Sequence, residues 1–342
     1  MASIEPYVRQ KARVLTDRLL SRSALSPSGT TNVFELCGLF SFEVVCKIGF
    51  AKDFLEDGDD SAIPLLKAMD GRHHAMAKRS GLSTKMPGAI GHAYRCFDYW
   101  ECRSREMVEH FLNNTSEDDA YLLTPLIRNT DNFLGRQLNN EELVEEAMGA
   151  MFAGSGTTST TLTYLFYAIS RPENQSIQER LREEVLSISG DLQSIKQLPY
   201  LNAVIKETFR LYPTIISTLP RVLDEPLTIE SHVLPPGTIV GMQNYVHQRD
   251  PTVFPDPERF VPERWLQSTD AMDEALTPFS LGRRNCIGQN LAWLELWLAV
   301  YEVVSKVRLT LGKEMRAEDM DMEDRFNTAP KGRKLMLQVT GV

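Results

Sequence analysis

Long hydrophobic runs, paired cysteines and surplus basic charge are all missing from this sequence of 342 residues. Its most apolar stretch, Leu291 to Val304, is interrupted by Glu295 and Glu302. It therefore falls short of the roughly 18 uncharged apolar residues that a membrane span requires, and it reads as a buried helix. The opening Met-Ala-Ser-Ile-Glu-Pro lacks the apolar core of a secretory signal. The five cysteines, Cys37, Cys46, Cys96, Cys102 and Cys286, make no CxxC pair and no Cys/His spacing of a zinc site. A sparse, odd count argues against a disulfide framework and for a reducing, intracellular compartment, where the sequons at Asn113, Asn114 and Asn174 carry no glycan. A net charge of -9 leaves no basic stripe to neutralise phosphates, so nucleic acid is not an expected partner.

What is present is mainly helical. Residues 6–21 place Val8, Val14, Leu19 and Leu20 at mostly helical spacing, and after a Ser/Gly/Pro-rich break Phe34 to Phe50 is apolar over a helical length. Lys52 to Ser61 reads as an acidic loop, while Gly71 to Gly91, which includes His73-His74, has no assignable period. Arg95 to Asn113 and Asp118 to Arg128 look helical, and a longer helix begins at Asn139 or Asn140 with glutamates in its first turn and stops before Arg171-Pro172. Helices from Pro172 to Leu186 and from Pro199 to Leu211 follow, the latter stopped by Pro213. The period then changes. Leu227 to Ile229 and His232 to Val240 read as short strands joined by Pro235-Pro236-Gly237, and Lys334 to Val339 as a closing strand. The expected class is mainly α with a small β-sheet region, in a single domain over residues 1–342.

Three segments carry chemistry. Phe279-Ser-Leu-Gly282-Arg283-Arg284-Asn-Cys286-Ile-Gly288 sets one cysteine between two glycines, ahead of a helix expected over 287–304. A lone cysteine is more often an inert buried residue. Here the helix start favours a thiolate, the glycines let a flat ring approach the backbone, and Arg284 is available to a carboxylate. Glu207 and Arg210, three apart on the Pro199 helix, share a face; alone they would be a surface ion pair of little worth. Ala153-Gly154-Ser-Gly156-Thr157-Thr158 puts two glycines inside the longest helix, each costing about 1 kcal/mol relative to alanine. Hydroxyls there can bend a helix, and the bland alternative is a small-residue helix contact.

Taken in order, these segments resemble the motifs of the cytochrome P450 superfamily, in its eukaryotic, fungal type. The resemblance covers essentially the whole chain. It implies that Cys286 is the axial thiolate ligand of heme b (iron protoporphyrin IX), in the loop that contains Phe279, Gly282, Arg284 and Gly288. Ala153, Gly154 and Thr157 then belong to an oxygen-binding groove against that heme, with Thr157 orienting protons. The position before this threonine usually carries an acid, and here it is Gly156. Glu207 and Arg210 are expected to be buried and joined by an arginine of a downstream Pro-Glu-Arg segment. Both Pro257-Glu258-Arg259-Phe260 and Pro262-Glu263-Arg264-Trp265 qualify by letter, and Arg264 is chosen because Pro257 to Phe260 fills the Pro-x-x-Phe slot that precedes the true segment. Arg221 matches a heme-propionate partner, and Thr214, Ile215, Ile216 and Leu219 match a pocket-lining loop suited to a lipophilic substrate.

The implied activity is a monooxygenase reaction of dioxygen with an apolar small molecule in fungal secondary metabolism, with electrons from NADPH through NADPH-cytochrome P450 reductase. A heme-thiolate enzyme of isomerisation or dehydration, which Gly156 favours, and a non-catalytic fragment are the alternatives. Members of the family begin with a membrane helix and further strands and helices ahead of the region matching Met1. This chain is thus expected to be N-terminally truncated, to encode no anchor to the endoplasmic reticulum membrane of longer relatives, and to leave the heme partly open to water.

Overall fold

A computed structural model describes residues 4–58, 60–71, 87–116 and 120–342. Residues 72–86, with His73 and His74, lie outside the described residues, as does Asp118; of the helix expected from Asp118 to Arg128, residues 120–122 are not helical and only Leu123–Arg128 is a helix. The elements in chain order are α1 (Glu5–Leu25), β1 (Thr30–Asn32), α2 (Val33–Phe50), α3 (Ile63–Gly71), α4 (Gly88–Asn114), α5 (Leu123–Arg128), α6 (Asn140–Ser170), α7 (Gln175–Leu186), α8 (Leu192–Lys196) and α9 (Pro199–Leu211). There follow β2 (Arg221–Val222), β3 (Leu227–Ile229), β4 (His232–Leu234), β5 (Ile239–Val240), α10 (Asn244–His247), α11 (Asp270–Ala275), α12 (Gln289–Lys306), β6 (Val307–Leu311), β7 (Met322–Arg325), β8 (Asn327–Pro330) and β9 (Met336–Gly341). The chain is mainly helical with small antiparallel sheets, as the sequence pattern indicates.

Helix α6 is the axis of the fold. Asn139 caps it by a reciprocal box in which its side chain accepts from Glu142 N and Glu142 accepts from Asn139 N. Arg136 and the Asn139 amide hold the Glu142 carboxyl down to about 2. The helix ends at Ser170 because Pro172 follows. Helix α2 lies along α6, and α1 packs on both α2 and α12. The α1–α2 contact includes a buried charge cluster: Lys11 and Arg18 on α1 meet Glu43 on α2 at 3.1 and 2.9 Å, and Lys11 also meets Asp53 at 3.0 Å. Pro172–Asn174 forms a separate 3-10 turn before α7, splitting the helix expected from Pro172. Asn174 is buried there and donates to Ala168 O at 2.8 Å, which removes that sequon from solvent.

Strand β9 is the middle of a three-stranded antiparallel sheet in the order β1-β9-β6, so it joins both ends of the described chain. Thr31 pairs with Leu337 and Leu309 with Val339. Gln178 on α7 completes the β6 edge, exchanging both side-chain amide groups with Leu309 N and O at 2.8 and 2.9 Å. The middle strands depart from expectation. β3 pairs with β4, but β5 pairs with β2, so Pro235-Pro236-Gly237 separates strands of two different ribbons and does not close one hairpin. β1, β6, the β7–β8 hairpin and α3 had no sequence forecast; all are short, and β1 and β6 find their partner β9 at the other end of the chain or across an intervening hairpin.

Candidate active site

Phe279 anchors the cysteine loop. Its ring packs edge-on against Phe209 of α9 at 5.4 Å and lies 6.3 Å from Trp293 of α12, which stacks on Trp297 at 5.1 Å. Its carbonyl accepts the Cys286 N–H at 2.9 Å and so closes the loop at both ends. Within it, Gly282 has φ +72° and opens the 3-10 turn Gly282–Arg284; a Cβ there would meet nothing, so the dihedral and not the space demands glycine. Gly288 is the N-cap of α12, which starts at Gln289, two residues later than the sequence suggested. A Cβ on Gly288 would lie 3.8 Å from Cys286 Sγ. Cys286 itself is exposed, between exposed Leu281 and Ile287, and its thiol makes no hydrogen bond among the described residues. Arg284 is exposed without an ion pair among them, and Arg221 bonds only the carbonyls of Leu219 and Pro220.

Beneath this loop the structure brings Glu207, Arg210 and Arg264 together. Both carboxylate oxygens of Glu207 accept from Arg210 at 2.9 Å, and Oε1 also accepts from Arg264 Nε at 3.2 Å and from Val261 N at 2.9 Å. Arg210 spends its remaining N–H groups on the carbonyls of Gln248, Pro257 and Arg259. Arg259, the rival by letter, points outward to Asp256 at 3.5 Å with its side chain 75% exposed. One member was missed: Trp265 donates to Glu207 Oε2 at 2.8 Å. It directly follows Arg264, so a polar-tipped aromatic beside the ion pair was the available signal. Every lone pair and donor of this buried pair is directed to a named partner, the condition under which an internal ion pair is tolerated.

On α6 the glycines answer to neighbours rather than to the helix. A Cβ on Gly154 would come within 2.6 Å of Val45 Cγ2 on α2. A Cβ on Gly156 would fall 2.2 Å from Asn327 Nδ2. Asn327 is buried and held there because Thr160 donates to Thr328 O at 2.9 Å, while Thr328 donates to Pro213 O at 2.9 Å and, through its N–H, to Thr214 O at 2.7 Å. An amide from β8 thus fills the space beside position 156; nothing local in sequence announces it. Thr157 is half-buried and donates to Ala153 O at 2.9 Å, leaving its oxygen lone pairs available on the exposed side of Ala153. Thr214, Ile215 and Ile216 are half-buried, and Leu219 is exposed.

Comparison with known proteins decides the family. The cytochrome P450 family model matches residues 1–337. The chain belongs to the cytochrome P450 family. It is 36% identical to the cytochrome P450 monooxygenase orf2 of Aspergillus niger over 352 aligned positions, covering 99% of this chain and 71% of that one. It is 35% identical to the cytochrome P450 monooxygenase BOT1 of Botryotinia fuckeliana over 210 residues, 59% of this chain and 41% of the relative. The chain thus spans from less than half to about 70% of the length of these P450 relatives. A solved structure of retinoic acid-bound cyanobacterial CYP120A1 shares the fold over 100% of this chain and 76% of its own, with a TM-score of 0.79 at 19% identity.

Heme b is the cofactor of cytochromes P450. The residues present fit such a group: a Cys286 thiol without a hydrogen-bond partner among the described residues, glycines on both sides of it, exposed apolar neighbours, and the guanidinium groups of Arg284 and Arg221 without a carboxylate partner among the described residues. That set suits a flat apolar ring with acidic arms. Among the described residues no group of three His, Cys, Asp or Glu side chains could hold a metal ion by itself, and no helix is long and apolar enough to cross a membrane.

Proposed function

We propose that this chain is the heme-thiolate part of a monooxygenase that inserts one oxygen atom of dioxygen into an apolar small molecule, in fungal secondary metabolism. The observation that carries the reading is the exposed, unpartnered Cys286 thiol in a loop clamped at Phe279 and flanked by glycines. Heme b bound there supplies reductive dioxygen activation, with electrons from NADPH through a partner reductase. Cys286 is the ligand, as thiolate; Arg284 and Arg221 hold the propionates; Glu207, Arg210 and Arg264 keep the loop's supporting elements in register. Thr157, whose hydroxyl donates to Ala153 O, would accept a hydrogen bond from water through its remaining lone pairs and so position a proton donor. Half-buried Ile215 and Ile216, with Leu219, form the apolar wall for substrate. The fungal origin of the relatives supports the metabolic setting.

The test is the carbon monoxide difference spectrum of the hemin-reconstituted, reduced chain. The wild type gives the band of thiolate-ligated heme, and Cys286→Ser removes it; the same band from the variant would refute Cys286 as ligand. A second reading has its own support. Because Asn327 occupies the space beside Gly156, no carboxylate can stand there, which suits isomerisation or dehydration without delivery of protons to dioxygen. Substrate-dependent NADPH consumption with a reductase separates the two readings: oxygenation consumes it and isomerisation does not.

A further inference from the structure

The single turn α10 stands between the buried ion pair and the cysteine loop, and it is tied to both. On the side of α9, Arg210 donates to Gln248 O, directly after α10, at 3.1 Å. The Gln248 side chain is fully buried against the carbonyls of Phe209 and Arg210, so its amide nitrogen faces them and donates to each at 3.1 Å. Arg249 donates to Leu211 O and lies 3.9 Å from the centre of the Tyr245 ring. On the other side, His247 Nε2 donates to Ala275 O, the last carbonyl of α11, at 2.7 Å. Thr277 adds a longer tie, its hydroxyl donating to Asn244 Oδ1 at 3.4 Å.

Just beyond Thr277 the loop begins. Thr277 O accepts the Ser280 N–H at 3.1 Å, and Phe279 O accepts that of Cys286. Ser280 is held at φ +59°, a left-handed conformation that residues other than glycine adopt only where their surroundings impose it. The residues entering the loop are therefore fixed from outside, and α10 supplies two of the bonds that fix them. The His247 ring serves there through one nitrogen. A carbonyl accepts and cannot donate, so the hydrogen is on Nε2; Nδ1 is then an acceptor, buried and without a partner among the described residues. Leaving it so costs free energy that an apolar side chain in the same space would not. What the ring adds is the Nε2–H.

We propose that His247 is a positioning residue for the cysteine loop. Through Ala275, and with Asn244 on Thr277 as the second tie, it fixes the entry to Phe279 and so sets where the Cys286 sulfur stands relative to the Glu207–Arg210 pair. The role rests on the reading of Cys286 as a heme ligand for its consequence. The bonds that carry it belong to the chain alone, so they are measured without the cofactor.

The experiment is hydrogen exchange of the heme-free 1–342 chain, read on peptides covering 279–288, where the N–H groups of Ser280, Asn285 and Cys286 are bonded to loop carbonyls. His247→Leu is expected to speed their exchange about tenfold, the loss of one buried hydrogen bond, while peptides of α6 exchange as in wild type. His247→Gln, whose amide nitrogen can reach Ala275 O, is expected to restore most of the protection. The reduced carbon monoxide spectrum after hemin reconstitution is the second readout. His247→Leu should lose part of the thiolate-ligated band to the form without thiolate, and His247→Gln should recover it. Unchanged loop exchange in His247→Leu, exchange raised equally in α6, or glutamine behaving as leucine does would each mean that the ring merely packs, and each overturns the proposal. A wild type without the thiolate band would instead refute the reading of Cys286, while the exchange rates still decide the tether. Should His247→Leu lose its circular dichroism signal, Thr277→Val decides, since unchanged loop exchange on losing the tie to Asn244 refutes an anchor at α10.

Discussion

At position 156 two side chains claim one space. Gly156→Asp puts a Cβ where Asn327 Nδ2 already lies, and Asn327 cannot swing freely because the next residue, Thr328, is tied to Thr160, Pro213 and Thr214. Overpacking of this kind costs about 1–3 kcal/mol. The same substitution in an Asn327→Ala background should cost clearly less, and urea unfolding of the four proteins of the cycle measures the difference. Equal costs in both backgrounds would show that the two residues do not compete. A second buried residue sets a pH dependence. Glu295 of α12 is fully buried with Ser41 Oγ at 2.6 Å as its hydrogen-bond donor, and desolvation pushes its carboxyl from the usual 4.5 to about 8. The folded state therefore keeps a proton that the unfolded chain loses. Below pH 4.5 both states are protonated and stability from this group is flat; as pH rises from there to about 8, the unfolded state gains and stability falls. Glu295→Gln removes that slope, so thermal midpoints of wild type and variant measured across pH 5 to about 8 should diverge towards the alkaline end.

At the scale of elements, α9 is tied to the segment after it by Glu207. Removing that carboxylate leaves Arg210 charged and buried, which costs about 3–5 kcal/mol. The sharper comparison is between the two arginines that match by letter. Arg264→Ala breaks a bond to Glu207 from a side chain only 8% exposed, whereas Arg259→Ala trims a side chain 75% exposed. Denaturant midpoints should fall for Arg264→Ala and hold for Arg259→Ala; the reverse order would mean that the network closes through the other segment. The same elements show what a sequence can reveal. The ends of α6 and α9 were legible because Asn139, Pro199 and Pro213 act on their own backbone neighbours, whereas α4 begins at Gly88, seven residues before the expected Arg95; the Glu207–Arg210 pair was legible because i,i+3 spacing on a helix fixes which groups meet. The ribbons were not legible, since β2 finds β5 across an intervening hairpin and Pro235-Pro236-Gly237 looks like any hairpin turn. Nor were the partners of Glu295 and Gly156: Ser41 is 254 residues away from the first, and Asn327 reaches the second from the far end of the chain. Local rules act over a few residues, while a buried polar group finds its partner through the fold.

At the scale of the molecule, the exposed apolar side chains bear on how firmly a cofactor is held. Val222, Ile239 and Met242, on and beside the β2–β5 ribbon, are each more than 60% exposed, and Leu281 and Ile287 flank Cys286 in the same condition. Each Å² of that apolar surface covered by a bound heme contributes about 25 cal/mol to holding it. Hemin should therefore bind the 1–342 chain saturably and raise its thermal midpoint, since a ligand of the folded state stabilises by mass action. Mixing the loaded chain with excess apomyoglobin tests this, because transferred heme gives the acceptor's distinct spectrum. Transfer faster from Ile287→Asp than from wild type is the expected order. Equal transfer from wild type and variant would mean that Ile287 does not cover the bound cofactor, and the contribution argued from its apolar surface would be wrong.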